Sequence, residues 1–429
     1  MSQATTTTGV DVSTLPGEFP EVMPATEGGT NLLGERLGAR ARLQSVDLLR
    51  GVVMVIMALD HARDFFHRDA LLFDPTDLSK TNAALFITRW VTHFCAPVFV
   101  FLAGTGAFLS TSRGKTKGEL ARFLLTRGLW LILLEMTVVR SGWFFNFDLS
   151  LLFGQVIWAL GWSMIALAGL IYLPVWAIAA FGLVMIAAHN LLDPVTSKSL
   201  GPLGWLWTVL HQGGPIFPRP GMVFFVAYPL VPWVGVMAAG YAFGRVLLLE
   251  PARRRRLLLW LGSGAVALFV VLRAVNVYGD PAPWKTQDNW AFTFFSFINT
   301  QKYPPSLLYL LMTLGPALVF LALFDRSASG KLARPFVVFG RVPLFYYLLH
   351  LPLIHGAACL FALAKYGRAG WLFQNWPPPG SPPTYPTDYG YPLWVVYAVW
   401  LGAVLALYPL CLWFSRLKQR RRDAWLSYL

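Results

Sequence analysis

The sequence predicts an all-α polytopic membrane protein with about ten transmembrane helices. Three observations carry this. The 429 residues are 56% hydrophobic and only 13% charged, with a mean hydropathy of +0.54, too apolar for an ordinary soluble globule. The apolar residues gather into long runs separated by Pro, Gly and charge clusters, and the alternating short strands of an outer-membrane barrel are absent. The basic residues, which give a net charge of +14, fall between those runs, so their placement argues for membrane topology and against a nucleic-acid partner.

Taken in order, the predicted spans are 47–67, 84–110, 120–139, 150–171, 174–191, 222–249, 256–277, 304–325, 336–365 and 391–415. The first has a fully apolar core of only nine residues, 51–59. A bilayer needs about 20, so this helix must take Arg50, or Asp60 and His61, close to the hydrocarbon. The second carries His93. The fourth and fifth are divided only around Leu173 and Pro174. The eighth opens on Pro304 and Pro305, which suit a helix start, and should bend at Gly315–Pro316. The ninth holds Tyr346, Tyr347 and His350 at i, i+1 and i+4, followed by Pro352, which lacks an amide N–H and so releases the carbonyl of Leu348.

With both termini cytoplasmic, the inner segments collect 23 of the 35 lysines and arginines, among them 253–256 and 420–422. The expected location is a membrane, with the chain integral to it and both termini on the cytoplasmic side. Residues 1–41 read as a disordered cytoplasmic tail, 42–416 as the transmembrane domain and 417–429 as a basic cytoplasmic tail. Long outer segments at 190–221, 278–303 and 366–391 are the expected recognition face. Cys95, Cys359 and Cys411 all lie in apolar runs and imply no disulfide framework.

On the first helix, Arg50 and His61 are 11 residues apart, which places them about 20° apart in azimuth and about 16 Å apart along the axis. Asp47 and Met54 fall on the same stripe, and Asp60 and Asp64 flank the histidine. Charged groups at such depth usually face a bundle interior or an aqueous cavity; the alternative is that Arg50 snorkels to headgroups and His61 ends the span. His93 and His350 are placed at a similar depth, which suggests a shared cavity, with Lys302 and Tyr303 at its outer mouth. A neutral imidazole beside a carboxylate suits proton removal from an attacking amine or hydroxyl. No nucleophile elbow, phosphate loop or metal-ligand spacing is found, and no metal is expected.

Five strings in order, "RLQSVDLLRGVVMVIMALDHARDFF", "RWVTHFCAPVFVFLAGTGAFLS", "YPLVPWVGVMAAGYAFGR", "KYPPSLLYLLMTLGPAL" and "GRVPLFYYLLHLPLIHG", resemble the bacterial branch of the heparan-alpha-glucosaminide N-acetyltransferase catalytic-domain family. The resemblance runs from about Arg42 to Arg416 and implies a transmembrane acyltransferase-like bundle. It implies acetyl transfer from cytosolic acetyl-CoA, as co-substrate, to an amino sugar or envelope glycan at the outer face. Arg42, Asp47 and Arg50 would then meet the CoA end; His61, Asp60 and His350 would be catalytic; His93, Lys302, Tyr303, Tyr346 and Tyr347 would meet the acceptor. The family's animal members place a proposed catalytic histidine near the position of Asn82 or Ala83 here, where this chain has none. A covalent acyl-histidine and direct transfer with His61 as base therefore both stand. The expected partners are the lipid bilayer, a saccharide or glycolipid acceptor and, in a homodimer, a second copy of the chain. A transporter or flippase for a sugar or lipid-linked saccharide is the competing reading, since proline-kinked helices and a buried polar line also suit alternating access.

Overall fold

The computed structural model describes residues 43–69, 72–112, 114–328, 330–376, 384–421 and 423–429. Arg42 and the tail 1–41 lie outside the described residues. Each of the ten predicted runs contains an α-helix: α1 Gln44–Phe66, α2 Ala83–Val91 continuing into α3 Cys95–Thr111, α4 Lys117–Leu134, then α6 Val156–Leu170 and α7 Val175–Ala188. A short α5, Arg140–Phe144, precedes α6. The chain continues through α8 Leu230–Phe243, α9 Pro251–Val275, α10 Trp290–Ile298 and α11 Leu307–Ser327. It ends with α12 Arg334–Arg341, α13 Pro343–Tyr366 and α14 Leu393–Arg420.

Among the described residues, seven helical segments are long and apolar enough to cross a membrane, so the fold is a polytopic helical bundle. Length and composition do not carry the count of ten. Of the other three predicted spans, α1 and α4 hold too many charged residues, and α6 is only 15 residues long.

α1 runs through the middle of the bundle, packed on α3 and α11 to α14. Its contact with α12 is backbone to backbone: a Cβ on Gly51 would lie 1.7 Å from the Phe336 carbonyl oxygen, and one on Gly340 would lie 1.8 Å from that of Asp47. Only glycine permits such an approach, the device by which helices associate in lipid. The "Arg-Gly" pair thus has a packing reason, because Gly51 brings α12 close enough for Arg50 to donate to the Gly340 carbonyl at 3.3 Å. α3 and α8 use the same device, Gly104 against Met237 and Gly240 against Phe101, with the Thr105 hydroxyl donating to the Gly240 carbonyl at 2.9 Å.

Several boundaries differ from the sequence expectation. Residues within 150–171 and 222–249 begin as strands, β1 Leu151–Gly154 and β3 Met222–Val226, and β2 Gly214–Arg219 completes a sheet of order β1-β3-β2. β1 pairs parallel to β3 in the register Leu151 to Val223 through Gly154 to Val226, while β2 and β3 form an antiparallel hairpin. The predicted span 336–365 breaks at Val342, between α12 and α13. Two buried arginines tie down the connections between helices. Buried Arg140 donates to the Leu151 and Asn146 carbonyls and to Asn375. Arg273 does the same for the carbonyls of Ala282, Ser296, Phe297 and Asn299. Each guanidinium supplies five donors, enough to satisfy several loop carbonyls at once.

Candidate active site

Two cavities lie along α1. The first, about 440 Å³, surrounds the start of the helix and is lined by Asp47, Arg50, Met54, Arg127, Arg341 and Lys418 among apolar residues of α3, α4, α6 and α13. Arg50 lies 3.5 Å and Arg341 3.9 Å from the buried Asp47 carboxylate. Four cationic side chains against one acidic side chain leave the lining of this cavity positive. Guanidinium groups in such a setting match phosphate oxygens.

The second cavity, about 510 Å³, surrounds the last turns of α1. It is lined by Asp60, His61, Asp64, Trp143, Gln155, Gln212, Tyr228, Lys302, Tyr303 and Trp376, with Phe153, Phe225 and Val226 of the sheet forming part of its wall. Met57, Phe99, Val156 and Tyr347 line both cavities. These four side chains are therefore the partition between a cation-lined chamber and a histidine chamber.

His61 of α1 and His350 of α13 meet across 289 residues of sequence, Nδ1 of His61 to Nε2 of His350 at 2.7 Å, with their rings stacked at 4.9 Å. The backbone of α13 fixes how the protons sit. His350 Nδ1 is 2.6 Å from the Tyr347 carbonyl and 3.2 Å from that of Tyr346, and a carbonyl only accepts, so this nitrogen is the donor. In neutral His350 the Nε2 lone pair then accepts from His61 Nδ1–H. The lone pair of His61 is left on Nε2, which has no protein partner among the described residues. Trp143 packs edge-on against the His61 ring at 5.1 Å and restricts its rotation.

The carboxylates beside His61 are arranged differently from expectation. Asp60 does not touch the imidazole; it accepts from Arg89 at 2.7 Å and lies 3.1 Å from Arg63, while Arg63 also pairs with Asp64. His350 takes the orienting position that the sequence assigned to a carboxylate. Lys302 is 8% exposed, faces the chamber and lies 5.1 Å from the Tyr303 ring centroid, with no hydrogen bond or ion pair of its side chain among the described residues. Partial withdrawal from water works to raise the Tyr303 phenol, but the neighbouring Lys302 ammonium and Arg89 guanidinium outweigh it and lower its pKa.

Of the expected site residues, Asp60, His61, Lys302, Tyr303 and Tyr347 line the histidine chamber, and Asp47 and Arg50 the cationic one. His350 stands directly behind His61. His93 and Tyr346 are not brought to either cavity lining. His93 sits 2% exposed in a 3-10 turn between α2 and α3, edge-on to Tyr309, whose hydroxyl donates to the His93 carbonyl at 2.7 Å. Tyr346 is fully buried and stacks on His350 with ring planes 1° apart. Trp376, from the 366–391 outer segment, also lines the histidine chamber. Sequence reading missed Arg89, Arg63, Trp143, Gln155 and Gln212. Arg89 and Arg63 were visible as charges in helical runs, the usual sign of a buried partner; the other three carried no such signal.

The model of the heparan-alpha-glucosaminide N-acetyltransferase catalytic family matches residues 42–275, more than half of the chain. The match takes in α1 to α9 and stops before Lys302, Tyr303 and His350. A comparison with curated proteins finds no match. The chain is an integral membrane protein of predominantly helical bundle architecture that belongs to the heparan-alpha-glucosaminide N-acetyltransferase catalytic family.

Proposed function

We propose that this protein is a membrane acetyltransferase that receives the acetyl group of acetyl-CoA from the cationic chamber and delivers it to an amino sugar or glycan hydroxyl in the histidine chamber. One observation carries the reading: two chemically opposite cavities abut along α1, sharing Met57, Phe99, Val156 and Tyr347, with an oriented imidazole on the far side of that partition. Family membership supports transferase chemistry. The cationic chamber fits the donor, since Arg50, Arg127, Arg341 and Lys418 would meet the phosphates while the apolar lining suits an extended thioester arm. Arg42 belongs to the same set by sequence position.

His61 acts as general base through Nε2. The acceptor nitrogen or oxygen loses a proton to it while bonding to the thioester carbonyl carbon; the C–S bond breaks, and the proton passes on to the departing thiolate. His350 orients the ring through the Tyr347 carbonyl, and the Asp60 and Asp64 carboxylates in the same chamber stabilise the transient imidazolium. Lys302 and Tyr303 meet the acceptor, and Trp143 and Trp376 offer faces for a sugar ring. The topology expected from the basic clusters puts the donor chamber on the cytoplasmic side. Direct transfer asks of Nε2 only that it move a proton; an acyl group trapped on His61 would replace it with the covalent route.

The test is CoA-thiol release by purified, folded protein given acetyl-CoA and a panel of hexosamines and glycans. Acceptor-dependent release supports the reading. No release across the panel, together with solute flux in proteoliposomes that ignores acetyl-CoA, would replace it with a transporter.

A further inference from the structure

Outside the linings of both chambers, three side chains from one stretch of the chain converge where α7 ends: His189, Asp193 and His211. One ligand atom from each lies within 4.8 Å of the others. His189 is 2% exposed, yet neither of its ring nitrogens makes a well-formed hydrogen bond among the described residues; the Pro305 carbonyl offers the ring only a weak contact. Burying an imidazole without a full hydrogen bond at either nitrogen is costly, and buried polar groups are rarely left so without a reason.

The surroundings are built to hold the other two groups. Asp193 Oδ2 accepts from Asn190 Nδ2 at 2.9 Å, and Oδ1 is turned to His211, 3.7 Å from its Nε2. Asn190 is itself fixed, its Oδ1 accepting from the Leu307 amide at 2.9 Å. The His211 ring is 2% exposed, stacks on Trp207 at 5.0 Å, and its Nε2 donates to the His189 carbonyl at 2.9 Å.

We propose that His189, Asp193 and His211 form a binding site for a divalent transition-metal ion of the zinc type. Two imidazoles and one carboxylate are a ligand set that zinc accepts and that calcium and magnesium, which require oxygen, do not. Asn190 is the outer partner that orients the carboxylate. Ligation through His211 Nε2 would replace its hydrogen bond to the His189 carbonyl, with the ring proton carried on Nδ1 instead. Three protein ligands leave a fourth position for water or a polar group. The site has a consequence for the neighbouring chamber, because Gln212 and Gly213, directly after His211, form part of its wall. Metal occupancy would hold that wall in place.

The test uses the full chain carrying a tag without histidine, stripped with a chelator in detergent and dialysed to equilibrium against Zn²⁺. Metal is counted per chain by mass spectrometry. The expected result is one zinc per chain, a rise in Tm on adding Zn²⁺, and loss of both in the His189→Ala/His211→Ala double variant. Asp193→Asn, a milder change, should weaken zinc at least about tenfold. Stoichiometric zinc absent from the wild type, or retained unchanged by the double variant, overturns the site. Should the double variant fail to fold, unchanged zinc affinity in Asp193→Asn does so. None of these readouts depends on transferase activity.

Discussion

Replacing His61 with alanine removes the unpartnered Nε2 while leaving the cationic chamber intact. His61→Ala should lower the transfer rate by about 10²- to 10⁴-fold, the usual worth of a positioned base, with CoA affinity nearly unchanged; single-turnover kinetics and calorimetry separate the two. Normal turnover would remove His61 from the mechanism. Arg50→Ala should do the reverse, weakening CoA binding about tenfold or more, as expected for a charge-assisted bond to phosphate, with little effect on turnover at saturation. At this scale the sequence spoke through helical geometry. Arg50, Asp47 and His61 shared one stripe because 11 residues nearly close three turns, and the stripe does face the two chambers. The partner of His61 was a different matter. His350 was visible as a buried histidine, but its contact with His61 joins α1 to α13, and no local spacing encodes that. For the same reason Asp60 was assigned to the imidazole when Arg89 and Arg63 hold it.

The helix pair α1 and α12 shows how packing sets the site. Gly51→Ala would drive a methyl group into the Phe336 carbonyl and separate the helices. It should cost about 1–3 kcal/mol or more, read as a fall in Tm in detergent, along with weaker CoA binding because Arg50 loses its seat on Gly340. Gly264→Ala in α9, where an added Cβ meets nothing within 4 Å, is the control and should leave Tm unchanged or slightly raised. An equal effect of the two substitutions would refute the close-packing account. Helices with long apolar runs were legible; β1 and β3 were not. "LLFG" and "MVFFV" are short apolar runs joined to helical ones, and periodicity alone does not tell a buried strand from a helix there. The order of the outer segments was equally hidden, since it depends on Arg140 and Arg273 reaching carbonyls of other segments.

At the scale of the whole molecule, a bundle with a central polar helix separates a cation-lined chamber from a histidine chamber; in the function proposed above, the acetyl group and not the whole donor has to pass between them. The 1–41 segment precedes this machinery, and a chain beginning at Arg42 should retain full transfer activity; a folded but inactive truncation would show that the segment contributes to the reaction. The bundle, its membrane character and its family were legible because composition and the five strings act over hundreds of residues. The cavities were not, because they arise from side chains of many helices. The most direct measurement is a density map of the full chain with bound CoA. The account places the phosphates against Arg50, Arg127 and Arg341, with the sulfur at the partition beside Met57 and Tyr347, facing His61. Phosphates seated instead against Lys302 in the histidine chamber, with the sulfur remote from His61, would contradict it.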